Sequence, residues 1–329
     1  MKKYLLLING ILTLLLVVGC QSHPEYHSSH DWFNLPDGLE TFGNGHGDVA
    51  VDSKGFLYVS VESNEKAGGI QVYDVEGKYS HNVPNAPIDF HGFVINNENG
   101  QDFIYGAGKS SQDIFKLDLK GKVILKISGD KIPAKYKKPN KKNPDKPTIR
   151  LTSTAVAPNG DIYTVDGYGL DYIHHFDKQG NYINTYGGRE APYNFSNCHN
   201  ITIDTRYTPA RILCCVRKKD TLVHLKLNGD IIGEYAKDLR RPSSLSFYKD
   251  NVAVAEINGR VTVLNKAGEI VSVVSVNDTK IIGHNKAEPA IWENGIVHSP
   301  HGIVYDKEGN LFVTEYNKFG RVHRFELKK

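Results

Sequence analysis

Three histidines in this chain occupy the same place in an internal repeat, and that coincidence carries a chemistry. His301 opens the segment His301-Gly302-Ile303-Val304-Tyr305-Asp306. Degraded copies of the same register run from Gly47 to Asp52, His91 to Asn96, Thr152 to Ala157, His199 to Asp204 and Ser243 to Tyr248. The first positions read Gly, His, Thr, His, Ser, His, so histidine returns at every second repeat. If the repeats close into a ring, three imidazoles converge on its axis. Neutral imidazole is a common metal ligand, and three histidines with a fourth position open are the pattern of a catalytic zinc site. His46 also precedes the first repeat, but six residues before Asp52 rather than five. On a strand that slip turns a side chain to the other face, so His46 is expected outside the metal set. His174, His175, His224 and His323 fall in third strands, away from the axis.

The elements that must position these residues are short strands. The third unit is clearest: Thr154 to Ala157, the turn Pro158-Asn159-Gly160, Asp161 to Val165, Tyr172 to Asp177, then Gly180 to Tyr186. Turn residues between β-branched and aromatic runs are hairpin signals. The repeat starts are 44, 61, 47, 44 and 58 residues apart. Units of roughly 40–50 residues with four strands each are the signature of a propeller. The fold expected is all-β: a six-bladed β-propeller of four-stranded blades over residues 38–329. The sixth unit ends after three strands, so Leu39 to Asn44 is expected to supply the fourth and close the ring, which removes exposed edges. Two connections are long. Residues 129–150, with seven lysines and four prolines, read as a solvated surface loop, with a lid or an anion-binding patch as the other reading. Residues 278–297 could border the same mouth.

With 40% hydrophobic and 23% charged residues over 329 positions, the chain is of ordinary globular composition. A net charge of +3 gives no basis for nucleic-acid binding. Lys2-Lys3, an apolar run from Tyr4 to Val18, and Val17-Val18-Gly19-Cys20 mark an export signal. A Cys directly after Val-Val-Gly resembles the bacterial lipobox. That resemblance implies a signal peptide over 1–19, cleavage before Cys20, lipidation of Cys20, and a lipid-anchored protein of the cell envelope. The anchor would sit in the outer membrane or cell surface, facing periplasm or exterior. Residues 20–37 are then a lipidated Cys and polar tether. Export permits a disulfide. Adjacent Cys214 and Cys215 on a strand point opposite ways, so one could pair with Cys198 and leave an odd thiol; three free thiols is the other reading.

The segments Phe90-His91-Gly92-Phe93, Asp113 to Asp118, Ala155-Val156-Ala157, Val165-Asp166-Gly167-Tyr168, Asn197-Cys198-His199 and Ser299 to Val304 resemble the peptidyl-α-hydroxyglycine α-amidating lyase family, which is built on a six-bladed propeller of the NHL type. The resemblance runs through most of the mature chain. It implies that His91, His199 and His301 bind a catalytic zinc, that Tyr168 is a catalytic base, and that Arg217 matches a family arginine. The reaction implied is C–N cleavage of an α-hydroxyglycine-type substrate to an amide and glyoxylate. A small peptide-like or hydroxy-acid substrate and a monomer are expected. The chain departs from the family in four places. Glu62 stands where an arginine is expected near the substrate carboxylate, Ser299 replaces a methionine before Pro-His, and Gly302 replaces an aspartate that helps hold calcium. Gly169 replaces a disulfide cysteine. The Gly302 departure weakens the calcium that the resemblance implies, and Glu62 reverses the charge where the substrate carboxylate would bind, so the same lyase with its usual or an altered substrate is expected. The competing class is a non-catalytic surface propeller that binds peptide, glycan or protein.

Overall fold

A computed structural model describes residues 23–29, 32–62 and 68–329. The signal sequence and Cys20 lie outside the described residues. The described chain folds into six four-stranded antiparallel sheets, with only four short 3-10 turns as helix. Blade one comprises Val49–Val51, Leu57–Val61, Gly69–Tyr73 and Tyr79–Asn82; blade two Phe90–Glu98, Gln101–Gly108, Asp113–Asp118 and Val123–Ser128. Blade three comprises Ser153–Val156, Ile162–Val165, Tyr172–Phe176 and Tyr182–Gly187; blade four Cys198–Asp204, Arg211–Val216, Thr221–Lys226 and Ile231–Ala236. Blade five comprises Pro242–Tyr248, Asn251–Glu256, Arg260–Leu264 and Ile270–Val276, and blade six Pro300–Tyr305, Leu311–Glu315 and Val322–Leu327 with one strand from the N-terminus. The six-bladed propeller expected from the repeat is therefore the fold observed.

One turn chemistry makes the hairpins. Asp177 accepts from the backbone N–H groups of Gln179 and Asn181, and Gly180 between them sits at φ 79°. The same arrangement recurs at Asp52 with Gly55, Asp74 with Gly77, Asp118 with Gly121 and Asp306 with Gly309. A carboxylate that caps its own turn followed by a residue free to take positive φ is a strong local specification of a hairpin. Apolar side chains of neighbouring blades then interlock. One buried cluster joins Tyr163, Val165 and Ile173 of blade three to Ile201, Ile212 and Leu225 of blade four.

The closing strand differs from the one expected. Tyr26–Ser29 pairs antiparallel with Val322–Leu327, Tyr26 facing Leu327. Residues 39–44 contain no strand. That segment is instead consumed as packing between the first and last blades: Gly43 N–H donates to Phe319 O, and Phe42 is buried against Phe33 and Tyr73. The polar segment expected to be a tether thus contains the strand that closes the ring.

The inner strands of blades two, four and six begin at or beside their histidine, so the starts of first strands define one face, the mouth. Antiparallel pairing makes first and third strands run from mouth to base and second and fourth strands from base to mouth. Residues 129–150 stand at the mouth between blades two and three. They are largely exposed, as expected of a surface loop, and are pinned at a few points: Ile132 and Ile149 are buried, Lys138 and Thr148 bridge, and Tyr136 packs edge-on against Tyr172. In blade four Cys198 and Cys214 form a disulfide and Cys215 is a buried free thiol, the pairing in which only one of two adjacent cysteines can face Cys198.

Candidate metal centre

The three in-register histidines meet. Their ring centroids are 4.9 Å apart for His91 and His199, 4.8 Å for His91 and His301, and 4.9 Å for His199 and His301. All three are buried. Each is held the same way. His91 Nδ1 meets Thr152 O at 2.7 Å, His199 Nδ1 meets Ser243 O at 2.7 Å, and His301 Nδ1 meets Gly47 O at 3.3 Å. Those three carbonyls belong to the first-position residues of the next blades round the ring. A backbone carbonyl can only accept, so each Nδ1 carries the proton and each Nε2 is left with a lone pair. This is how metal-binding histidines are commonly oriented, by a hydrogen bond from the non-ligating nitrogen. The Nε2 of His301 is buried with no hydrogen-bond partner among the described residues, a costly state for an acceptor unless something binds it.

Burial holds the His91 imidazole well below its ordinary pKa, with help from the His301 and His199 rings. Burial does the same for His199, helped by Arg217, and for His301, helped by His46. The three rings are neutral at physiological pH, the form that ligates.

Tyr168 stands over this cluster. Its hydroxyl is 3.0 Å from both His91 Nε2 and His199 Nε2, and 3.3 Å from His46 Nε2. The loop that presents it is pinned at three points. Tyr168 N–H donates to Arg150 O, Asp166 accepts from the N–H groups of Arg150 and Leu170, and Asn197 Nδ2 donates to Gly167 O. Asn197 also accepts from Arg217 Nε at 2.6 Å, and the Arg217 guanidinium lies 5.6 Å from the centre of the Tyr168 ring. Arg217 Nη1 is buried without a hydrogen-bond partner among the described residues. Burial raises the Tyr168 phenol above its usual pKa, and Arg217 only partly offsets that. The cation alone does not make the phenol a ready base.

His46 does not obey the register argument. Its ring is 4.9 Å from that of His91 and 5.2 Å from that of His301. The candidate ligand atoms of His46, His91 and His301 all lie within 4.8 Å of one another. The alternation rule applies only inside a strand, and the first strand of blade one starts at Val49. His46 precedes it, where Gly45 bridges Asn317 of blade six. Four histidines therefore surround one spot, two alternative triads sharing His91 and His301. Their supports differ. His46 Nδ1 faces not a carbonyl but Lys109 Nζ at 3.1 Å and Glu62 at 3.5 Å among the described residues.

Glu62 and Lys109 complete the rim. The Lys109 ammonium ion-pairs with the Glu62 carboxylate, both side chains being largely buried. Burial pushes the Glu62 carboxyl up, but His46 and Lys109 outweigh it and hold the group below its ordinary value. The negative charge at this place is thus neutralised by a lysine of blade two. Tyr316 packs on His46 at 4.6 Å. Lys109 and Tyr316 carry no sequence signal of their own. Only closure of the ring brings Lys109, at the end of a second strand, to the axis.

Beneath the histidines the channel is plugged by Asp48. Its carboxylate accepts from Ser244 Oγ at 3.1 Å and Asn200 Nδ2 at 3.4 Å, and burial pushes its pKa up to about 7. A Cβ on Gly302 would fall 2.4 Å from Asp48 Oδ1. Gly302 is therefore the residue that leaves room on the axis for the Asp48 carboxylate of the neighbouring blade.

No family model matches the chain, and no curated protein does. Among solved structures it is similar to a streptogramin B lyase, with 17% identity, 93% of this chain and 98% of the other covered, and a TM-score of 0.57. It is similar also to virginiamycin B lyase from Staphylococcus aureus, at 17% identity, 87% and 96% coverage and a TM-score of 0.53. A structural genomics protein of unknown function from Bacteroides thetaiotaomicron matches at 11% identity, 86% and 70% coverage and a TM-score of 0.58. At such identities the likeness is one of fold: a six-bladed propeller, in some proteins the scaffold of a lyase.

Proposed function

We propose that the chain is a zinc-dependent lyase of the amidating-lyase type, acting on an α-hydroxyglycine-like or hydroxy-acid substrate, and that it is lipid-anchored through Cys20. The observation that carries the chemistry is the common support of His91, His199 and His301, whose Nδ1 atoms are taken by backbone carbonyls while His301 Nε2 has no hydrogen-bond partner among the described residues. These three residues would hold the metal, with His46 beside it. When bound, zinc supplies Lewis acidity that lowers the pKa of a neighbouring hydroxyl by several units.

The chain's own residues supply the rest. Tyr168, central among the histidines, is placed to accept the proton of a substrate hydroxyl as a general base. Loss of that proton lets the C–O electrons form a carbonyl and break the C–N bond. The amide nitrogen leaves with the bonding pair and is protonated, giving an amide and an aldehyde acid without added water. Arg217, with a free Nη1 donor, and Lys109 are the cations able to receive the substrate carboxylate. Lys109 thereby answers the charge reversal that Glu62 introduces.

The test is metal content of the purified protein together with glyoxylate release from a peptidyl-α-hydroxyglycine. One equivalent of zinc and measurable release are expected. A metal-free protein without activity would instead favour a binding propeller.

A further inference from the structure

The chain enters the propeller at its base. Tyr26 pairs opposite Leu327, the base end of a third strand. Ahead of it, His23 and Pro24 share a cleft with the turns Lys249–Asn251 and Asn265–Ala267, both base turns of blade five. Lys328 N–H donates to Glu25 O at 2.9 Å, and Lys328 Nζ ion-pairs with Glu25 at 2.9 Å. The polypeptide is thus held to the base at Glu25, with the exposed His23 beside it. Cys20 precedes Glu25 by five residues, and five fully extended residues span at most about 18 Å.

The same face carries exposed aliphatic side chains. Val123, Ile124, Ile183, Ile231, Ile232 and Ile270 are 39–48% exposed. Each is the first or second residue of the fourth strand of its blade, in blades two to five. Fourth strands start at the base, so these residues form an apolar arc along the outer rim of the face from which the chain emerges. Aliphatic side chains repeated at one level of a surface gain by entering the headgroup–acyl boundary of a bilayer.

We propose that the base of the propeller rests on a lipid bilayer, with the valine and isoleucine arc in the interface and the histidine mouth directed away from the membrane. The inference rests on lipidation of Cys20 and is independent of the chemistry at the mouth. A lipid-modified residue tethered within about 18 Å keeps the base close to the membrane, and the arc adds a second membrane contact to that anchor. Substrate then reaches the site from the aqueous side.

The test uses the full-length chain reconstituted into phosphatidylethanolamine–phosphatidylglycerol vesicles. Ile183→Cys and Ile231→Cys at the base, and Ile281→Cys in the mouth connection, are each labelled with an environment-sensitive fluorophore. The native thiols do not compete, because Cys198 and Cys214 are bonded and Cys215 is buried. Both base probes should shift to the blue and be quenched by nitroxide-bearing lipids several-fold more than the Ile281→Cys probe. Lipid on Cys20 is checked first by mass spectrometry of the N-terminal peptide. Equal quenching at base and mouth, with lipid present, overturns the orientation alone. Absence of lipid overturns the anchor reading and the proposal with it.

Discussion

At the scale of single residues, the site is decided by what sits behind each imidazole. His91, His199 and His301 are fixed by carbonyls of Thr152, Ser243 and Gly47, whereas His46 leans on the Lys109–Glu62 pair. This difference separates two triads that the ring positions leave nearly equivalent. Replacing His199 by Ala should remove the metal, as should His91→Ala and His301→Ala. His46→Ala should retain one equivalent, with affinity weakened no more than about 10–100-fold, the usual cost of losing an outer contact. Metal analysis after dialysis decides it: loss of zinc in His46→Ala with retention in His199→Ala would reassign the site. For Tyr168→Phe, the expected outcome is full metal content and a kcat lower by about 10²–10⁴, the range for removal of a general base. Lys109→Ala should raise KM more than it lowers kcat if the ammonium meets the substrate carboxylate, which steady-state kinetics on one substrate will separate. The triad was legible in the sequence because its three members share a register. His46 was not, because period-two reasoning stops where the strand stops.

At the scale of strands and turns, Asp48 and Gly302 behave as one unit. They belong to different blades yet compete for one volume on the axis. Gly302→Asp places a second carboxyl against the first and should destabilise the protein by about 1–3 kcal/mol, the typical cost of overpacking a filled core. Adding Asp48→Gly to that variant should restore much of the loss, and denaturant melts of the three proteins check this. Asp48 also predicts a pH dependence. Its carboxyl ionises near pH 3.8 unfolded and near 7 in the fold. Between those values the native state binds more protons than the unfolded chain, so this group makes stability fall as pH rises from about 4 to 7. Asp48→Asn removes the ionisation, and its melting temperature should lose that component of the slope. The hairpin turns were visible as Asp-x-x-Gly spacings. The contact between Asp48 and Gly302 was not, because it joins neighbouring blades from the two ends of the sequence and neither repeat announces it alone.

At the scale of the whole molecule, stability turns on how the ring is shut. The sequence counted three strands in the last unit and required a fourth, which is correct. The strand that supplies it is not Leu39 to Asn44 but the short, polar Tyr26-His27-Ser28-Ser29. An outer strand needs little apolar content: it covers one edge, and its Tyr26 hydroxyl bonds that of Tyr305 while Ser29 Oγ donates to Glu326. Leu39 to Asn44 contributes Phe42 instead, buried in the aromatic cluster of Phe33, Tyr73 and Phe312 between blades six and one. The two placements predict different truncations. A chain starting at residue 23 should melt as the mature protein does. A chain starting at residue 38 loses Tyr26–Ser29, Trp32 and Phe33 together, exposing the edge of Val322–Leu327 and one side of the aromatic cluster. Losing burial of two aromatic side chains alone costs several kcal/mol, which for a domain of this size is a fall in Tm of about 5 °C or more. Exposure of that edge should also promote self-association. Differential scanning calorimetry with light scattering on the two truncations would distinguish them. Equal melting of both would show that Tyr26–Ser29 does not close the ring, and that the last blade holds with three strands.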